Sequence, residues 1–148
     1  MKAIFINLAN YQLAKYYFTK KRYRSVLDQL ELVDELDLDQ KYLEEYYFKK
    51  GYSHFQQEEY ELSKAALSHV LEGGKKYRSP AQYYSSYILY REGKNEAALV
   101  GFKELESDKL FGKVAPFYIL QIYYRQGRNE EVLTYGRDLL HKDFSESK

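Results

Sequence analysis

The sequence predicts an all-α fold, a solenoid of stacked helix-turn-helix repeats, and three observations predict it. Apolar residues recur at spacings of three and four wherever the chain is not a turn, which is the helical period and not the alternation of a half-buried strand. The chain returns to itself about every 35 residues, the signature of a repeat array. Leu13-Ala14-Lys15-Tyr16-Tyr17-Phe18-Thr19-Lys20-Lys21-Arg22-Tyr23 aligns with Lys50-Gly51-Tyr52-Ser53-His54-Phe55-Gln56-Gln57-Glu58-Glu59-Tyr60, and further copies follow at Ser86-Tyr87-Ile88-Leu89-Tyr90 and Leu120-Gln121-Ile122-Tyr123-Tyr124. Taking Tyr23, Tyr60, Asn95 and Asn129 as equivalent, the steps are 60−23=37, 95−60=35 and 129−95=34. Finally, each copy reads as an aromatic helix, a short polar turn and a second amphipathic helix.

The elements follow in order. The first hairpin is expected over about 3–19 and 23–33, turning at Lys20-Lys21-Arg22. The acidic link 34–39 comes next, and Asp37 with Gln40 has capping-box spacing, so a helix should begin near Leu38 and run to about 57. Its partner spans about 60–72 and stops at Gly73-Gly74. Ser79-Pro80-Ala81-Gln82 reads as a start signal, with a capping Ser and Pro at the first helical position. The remaining helices are expected over about 80–92, 96–106, 113–126 and 130–142, with Asn95 and Asn129 capping the second helices of the last two copies. The whole forms one domain, with repeats over about 7–36, 40–74, 79–108 and 113–142 and a disordered tail at 143–148.

The period, the paired helices and the residue classes at fixed offsets resemble the tetratricopeptide repeat, a helix-turn-helix unit, over about residues 7–142. The second copy carries Gly51, Phe55, Tyr60, Ser63 and Leu67; the first carries Ala14, Tyr17, Tyr23, Val26 and Leu30. The third keeps Ser86, Leu89, Ala98 and Phe102 with Gly93 in its turn. The fourth keeps Tyr123, Gly127 and Val132 but departs from the pattern at Leu120, Asn129 and Gly136. The resemblance implies a right-handed superhelix whose first helices line a concave groove. Carried onto this chain, it puts Tyr11, Phe48, Tyr83 and Phe117 in one groove row and Phe18, Phe55, Tyr90 and Tyr124 in another. Lys15, Tyr52, Tyr87 and Gln121 lie between them, with Arg91 and Arg125 at the rim. Such a trough of rings with cationic edges suits an extended or helical protein segment. The competing reading is that the rings fill crevices between helices. The set of Lys and Asn residues with which some members hold a chaperone's terminal carboxylate is not matched, since Tyr11 and Lys15 stand in its place. Arg91 and Arg125 retain the planar geometry for a carboxylate or phosphate.

No catalytic pattern accompanies the repeat. His54, His69 and His141 have no helical metal-site spacing, so neither a cofactor nor a metal is expected. Glu44/Glu45 and Glu58/Glu59 read as solvated helix surface. Gly73-Gly74-Lys75-Lys76 lacks the strand and the ending of a phosphate loop. The basic run Lys20-Lys21-Arg22-Tyr23-Arg24 lies at a hairpin turn and is balanced by the acidic link. The formal charge of +1 argues against a nucleic-acid partner, although stacking rings are what an RNA-binding helical repeat would use. No apolar run reaches the length of a membrane span, and 1–6 is too short for a signal peptide. With no cysteine, a cytoplasmic location and a bacterial periplasm or cell envelope both remain open. The 18 tyrosines resemble the Tyr-rich arrays of bacterial envelope proteins.

The sequence therefore points to a non-catalytic interaction module with a protein or peptide partner. The alternative is a scaffold or self-association segment. Leu133, Leu139 and Leu140 near the end and Ile4, Phe5 and Ile6 at the start have no later or earlier helix to cover them. That leaves three arrangements open: a longer array, a homo-oligomer through the apolar end helices, or Phe144 folded back over the last helix.

Overall fold

The computed structural model describes the backbone of residues 2–146 and the side chains of residues 3–142. Among the described residues the regular structure is helical throughout: α1 (Lys2–Thr19), α2 (Tyr23–Glu31), α3 (Gln40–Gln56), α4 (Tyr60–Leu71), α5 (Arg78–Arg91), α6 (Asn95–Lys103), α7 (Ala115–Arg125) and α8 (Asn129–Glu146). One-turn 3-10 helices at Glu35–Asp37 and Phe111–Lys113 punctuate the linkers. The chain falls into two compact units, Met1–Tyr84 and Ser85–Lys148, dividing within α5. In the first, α1 packs on α2, α2 on α3 and α3 on α4. One buried cluster gathers Tyr11, Ala14, Val26, Leu30, Val33 and Tyr46, and a second gathers Phe48, Leu67, Val70 and Ala81. In the other unit α6 packs on α7 and α7 on α8, around Ala98, Phe102, Ala115, Ile119 and Ile122, all fully buried.

The repeat is written most plainly in the turns. Each hairpin is joined by a residue of positive φ: Lys21 (58°), Glu58 (59°), Gly93 (77°) and Gly127 (69°). The residue after each one donates its N–H back into the helix just left, Arg22 to the Tyr17 carbonyl at 3.0 Å, and Glu59 to His54, Lys94 to Leu89 and Arg128 to Tyr123, each at 2.9 Å. The positive-φ residue itself donates to the carbonyl three back, Phe18, Phe55, Tyr90 or Tyr124. Together these bonds make the Schellman closure that satisfies a helix's last carbonyls. Four turns of one geometry thus set a common register, in which Lys21, Glu58, Gly93 and Gly127 correspond.

Close approach of paired helices rests on small residues at fixed register. A Cβ on Gly51 would lie 2.7 Å from the Leu67 side chain, so α3 and α4 meet only because Gly51 has none. Ser63 replaces that missing contact with a bond, its hydroxyl donating to the Gly51 carbonyl at 2.7 Å. The corresponding Ala14, Ser86 and Ala98 are almost fully buried. In the last hairpin the pattern lapses: Leu120 and Val132 are half-buried, and nothing lies within 4 Å of a Cβ placed on Gly136.

Several local expectations are corrected. Asp37 does not open α3; it ends a 3-10 turn capped by Asp34, and Asp39 caps α3 by accepting from the Lys41 N–H. Ser79 and Pro80 lie inside α5, which starts at Arg78. Asn95 and Asn129 are first helical residues rather than caps. At Arg22, Glu59 and Lys94 no side chain caps the following helix, because the Schellman turn delivers the backbone there with ψ near 70° instead of extended. α8 runs to Glu146, past the expected end at 142. Of the expected tail, Ser147 and Lys148 lie outside the described residues, as does the side chain of Phe144.

Candidate functional site

Linkers between hairpins are held by side chains from the first helices. Asn7, buried on α1, donates Nδ2 to the Asp34 carbonyl at 2.9 Å and accepts the Asp34 N–H. At the same register on α3, Glu44 accepts the N–H groups of Lys75 and Tyr77 at 2.7 and 2.8 Å. Next to it, Glu45 accepts the Tyr11 hydroxyl and, at 3.3 Å, that of Tyr77, while Lys15 and Lys49 approach its Oε1 at 3.4 and 3.7 Å. Burial raises the Glu45 pKa, yet the Tyr11 hydrogen bond and the Lys49 and Lys15 charges outweigh it and hold the carboxyl below its usual value. Burial and the Glu45 bond push Tyr11 well above the ordinary tyrosine range. Glu59 likewise binds Arg24 at 2.8 Å and His54 at 3.3 Å. These carboxylates are not the solvated surface that the sequence suggested: Glu44, Glu45 and Glu59 each join segments distant in sequence.

In the first unit the expected groove residues Phe18, Phe48, Tyr52 and Phe55 come together. Tyr52 is the centre, with ring centroids 5.5 Å from Phe18, 5.6 Å from Tyr23, 5.9 Å from Phe48 and 5.1 Å from Tyr84. Phe55 joins through Tyr84 at 4.8 Å and Tyr60 at 5.7 Å, and Tyr83 packs beside Tyr84 at 5.2 Å. Lys49 lies 5.0 Å over the Phe18 ring, a cation–π contact. Burial, then the Tyr52 hydroxyl, pushes Tyr23 up to about 12. Most of these rings are half-buried. Tyr11 and Phe48 are not surface residues: at 0% and 7% exposure they are core. Tyr11 packs on Tyr42 at 5.6 Å and Phe48 stacks on Tyr77 at 4.8 Å, so their row fills the crevice between successive hairpins.

In the second unit Tyr118 takes the central place. Its ring stacks on Phe102 at 4.7 Å and meets Tyr87 at 5.9 Å, Tyr90 at 5.2 Å and Phe117 at 5.3 Å. Arg125 lies 3.7 Å above the Tyr90 ring and donates to the Tyr90 carbonyl at 3.0 Å, so the guanidinium is already engaged rather than an open anion clamp. Gln121 is half-buried, Arg91 is exposed, and Tyr124 and Phe117 stand out at 71% and 57% exposure. Tyr84 and Tyr118, the partners missed from sequence, share one register position, and their 34-residue spacing was the available signal. Among the described residues no group of three or more His, Asp or Glu could hold a metal ion, and no helix is long and apolar enough to cross a membrane.

No family model matches the chain, and no curated protein matches it. The crystal structure of MamA does match in fold, with a TM-score of 0.76 over 95% of this chain and 80% of that chain, at 19% identity. This chain folds like MamA. The likeness establishes a tetratricopeptide-like helical-repeat fold.

Proposed function

We propose that this protein is a non-catalytic interaction module that binds a protein segment on the aromatic surfaces of its first helices. The observation that carries this reading is the gathering of half-exposed rings around Tyr52 in one unit and Tyr118 in the other. Ring edges and hydroxyls give large contact area at small entropic cost, the chemistry of interface hot spots. The reading puts Lys15, Phe18, Tyr52, Phe55 and Tyr83 in one surface and Tyr87, Tyr90, Arg91, Gln121, Tyr124 and Arg125 in the other. Peptide-library selection against the intact chain tests it. Peptides enriched on the native protein should lose on the order of tenfold or more in affinity with Tyr124→Ala, whose ring is largely exposed, and with Tyr87→Ala, with circular dichroism checking that both variants stay folded. Unchanged affinity in both variants would refute the site.

A second reading, self-association, is favoured by exposed apolar side chains on α1, where Ile4, Phe5 and Ile6 are 56–67% exposed, and on α8 at Leu133 and Leu140.

A further inference from the structure

The shared register of the four turns relates two exposed apolar faces, one on α1 and one beside Phe117 on α7. Within the first unit, each hairpin is sealed by the helix that follows. Tyr11, Ala14 and Val33 are buried in a cluster with Tyr42, Leu43 and Tyr46. One step on, Phe48 occupies the register position of Tyr11, and Tyr77, which stacks on it, that of Tyr42. The same two positions are filled by Tyr83 and Phe111 further along the sequence. Phe117 takes the register position of Tyr11 once more, and Phe5 that of Tyr42. Both are exposed, at 57% and 67%.

The surroundings match as well. Phe117, Leu120 and Leu139, the counterparts of Tyr11, Ala14 and Val33, line an open cleft of about 560 Å³ in the second unit. Phe5, Ile6 and Ala9, the counterparts of the sealing residues Tyr42, Leu43 and Tyr46, form an uncovered face of α1 in the first unit. Two exchanges fit the ends to each other rather than to an arbitrary helix. Where the inner step has small Ala14 and large Tyr46, the ends have large Leu120 and small Ala9, which conserves volume. Where the inner step has the Tyr11 hydroxyl donating to Glu45, the ends have Phe117 and Leu8, so donor and acceptor vanish together and neither is left unpaired on burial.

We infer that copies of this protein associate head to tail, α1 of one molecule seating Phe5, Ile6 and Leu8 in the Phe117 cleft of the next. The contact is heterologous, so a dimer keeps one free face of each kind and assembly extends with concentration, ending only where the rotation between copies closes a ring. The inference rests on the self-association reading and specifies its geometry.

Analytical ultracentrifugation of the full chain with Phe5→Asp and Phe117→Asp tests it, with circular dichroism confirming that these surface variants remain folded. The native protein should form concentration-dependent oligomers. Each variant alone should weaken association on the order of thirtyfold or more, the size of an aromatic hot spot. An equimolar mixture of the two should recover a 1:1 dimer, since Phe5→Asp keeps an intact cleft and Phe117→Asp an intact α1 face. A native chain that stays monomeric up to millimolar concentration overturns self-association altogether and leaves the cleft to another segment. Dimers that survive Phe117→Asp but not Phe5→Asp overturn the head-to-tail geometry while leaving self-association standing.

Discussion

Glu45 shows how one side chain joins three stretches of sequence. It sits on α3, takes the hydroxyls of Tyr11 from α1 and Tyr77 from the linker before α5, and lies within ion-pair distance of both Lys15 and Lys49. Its folded pKa is depressed, so its contribution is fully present above the unfolded value of about 4.3 and is lost as pH falls through the lower folded value. Glu45→Gln should therefore lower stability at neutral pH by about 1–2 kcal/mol, the worth of charge-assisted hydrogen bonds, and should flatten the loss of stability on acidification. Urea midpoints of both proteins at neutral pH and stepwise down to pH ~3 check this. Nothing in the local sequence announced the role. Glu44-Glu45 reads as a polar helix face, and only the folding of Tyr11 and Tyr77 onto it turns the pair into a junction.

At the scale of the elements, the hairpin turn is the unit that repeats most faithfully, and two of its four copies carry strain. Gly93 and Gly127 adopt positive φ freely, whereas Lys21 and Glu58 hold side chains in the same left-handed region. Lys21→Gly and Glu58→Gly should each stabilise the protein by about 0.5–1 kcal/mol, the reverse of the usual effect of glycine, with thermal unfolding as the measurement. Helix existence was legible from the repeat as a whole, since the helical period is clear in α2 and α7 but weak in the aromatic-rich α1 and α5. Most ends were placed within two or three residues, and the errors at the starts of α6 and α8 have one cause. Capping residues such as Asn95 and Asn129 were expected to start helices, but the backbone closure of the preceding helix sets the entry angle and the first helical residue. The clustering of rings was legible in part: shared register found Tyr52 with Phe18 and, through Tyr84, Phe55. It did not distinguish the row of Tyr11 and Phe48, which the next hairpin buries, from rows left half-open.

For the whole molecule, tyrosine chemistry sets a limit on the alkaline side. Tyr11, Tyr23, Tyr47, Tyr84 and Tyr135 are all raised, with burial the largest cause in each. A raised folded pKa contributes stability below the ordinary value near 10, and that contribution is lost as pH rises beyond it. Stability should therefore fall as pH climbs above about 10, more in the first unit than in the second, where Tyr135 alone of these tyrosines lies, with tyrosinate absorbance and loss of helical circular dichroism appearing together. Early, independent ionisation of the tyrosines in a still-helical protein would contradict it. The linker clamps have a different consequence. Asn7 grips the chain at Asp34, and Glu44 grips it at Lys75 and Tyr77, so the helices that follow are positioned from the clamp and not from the length of linker around it. Leu36, just beyond the first clamp, is 89% exposed. Residues inserted there cost only the slow logarithmic growth of loop closure. The hairpins can thus change the loops they display without changing how they stack, which makes the linkers the part of this architecture most open to variation.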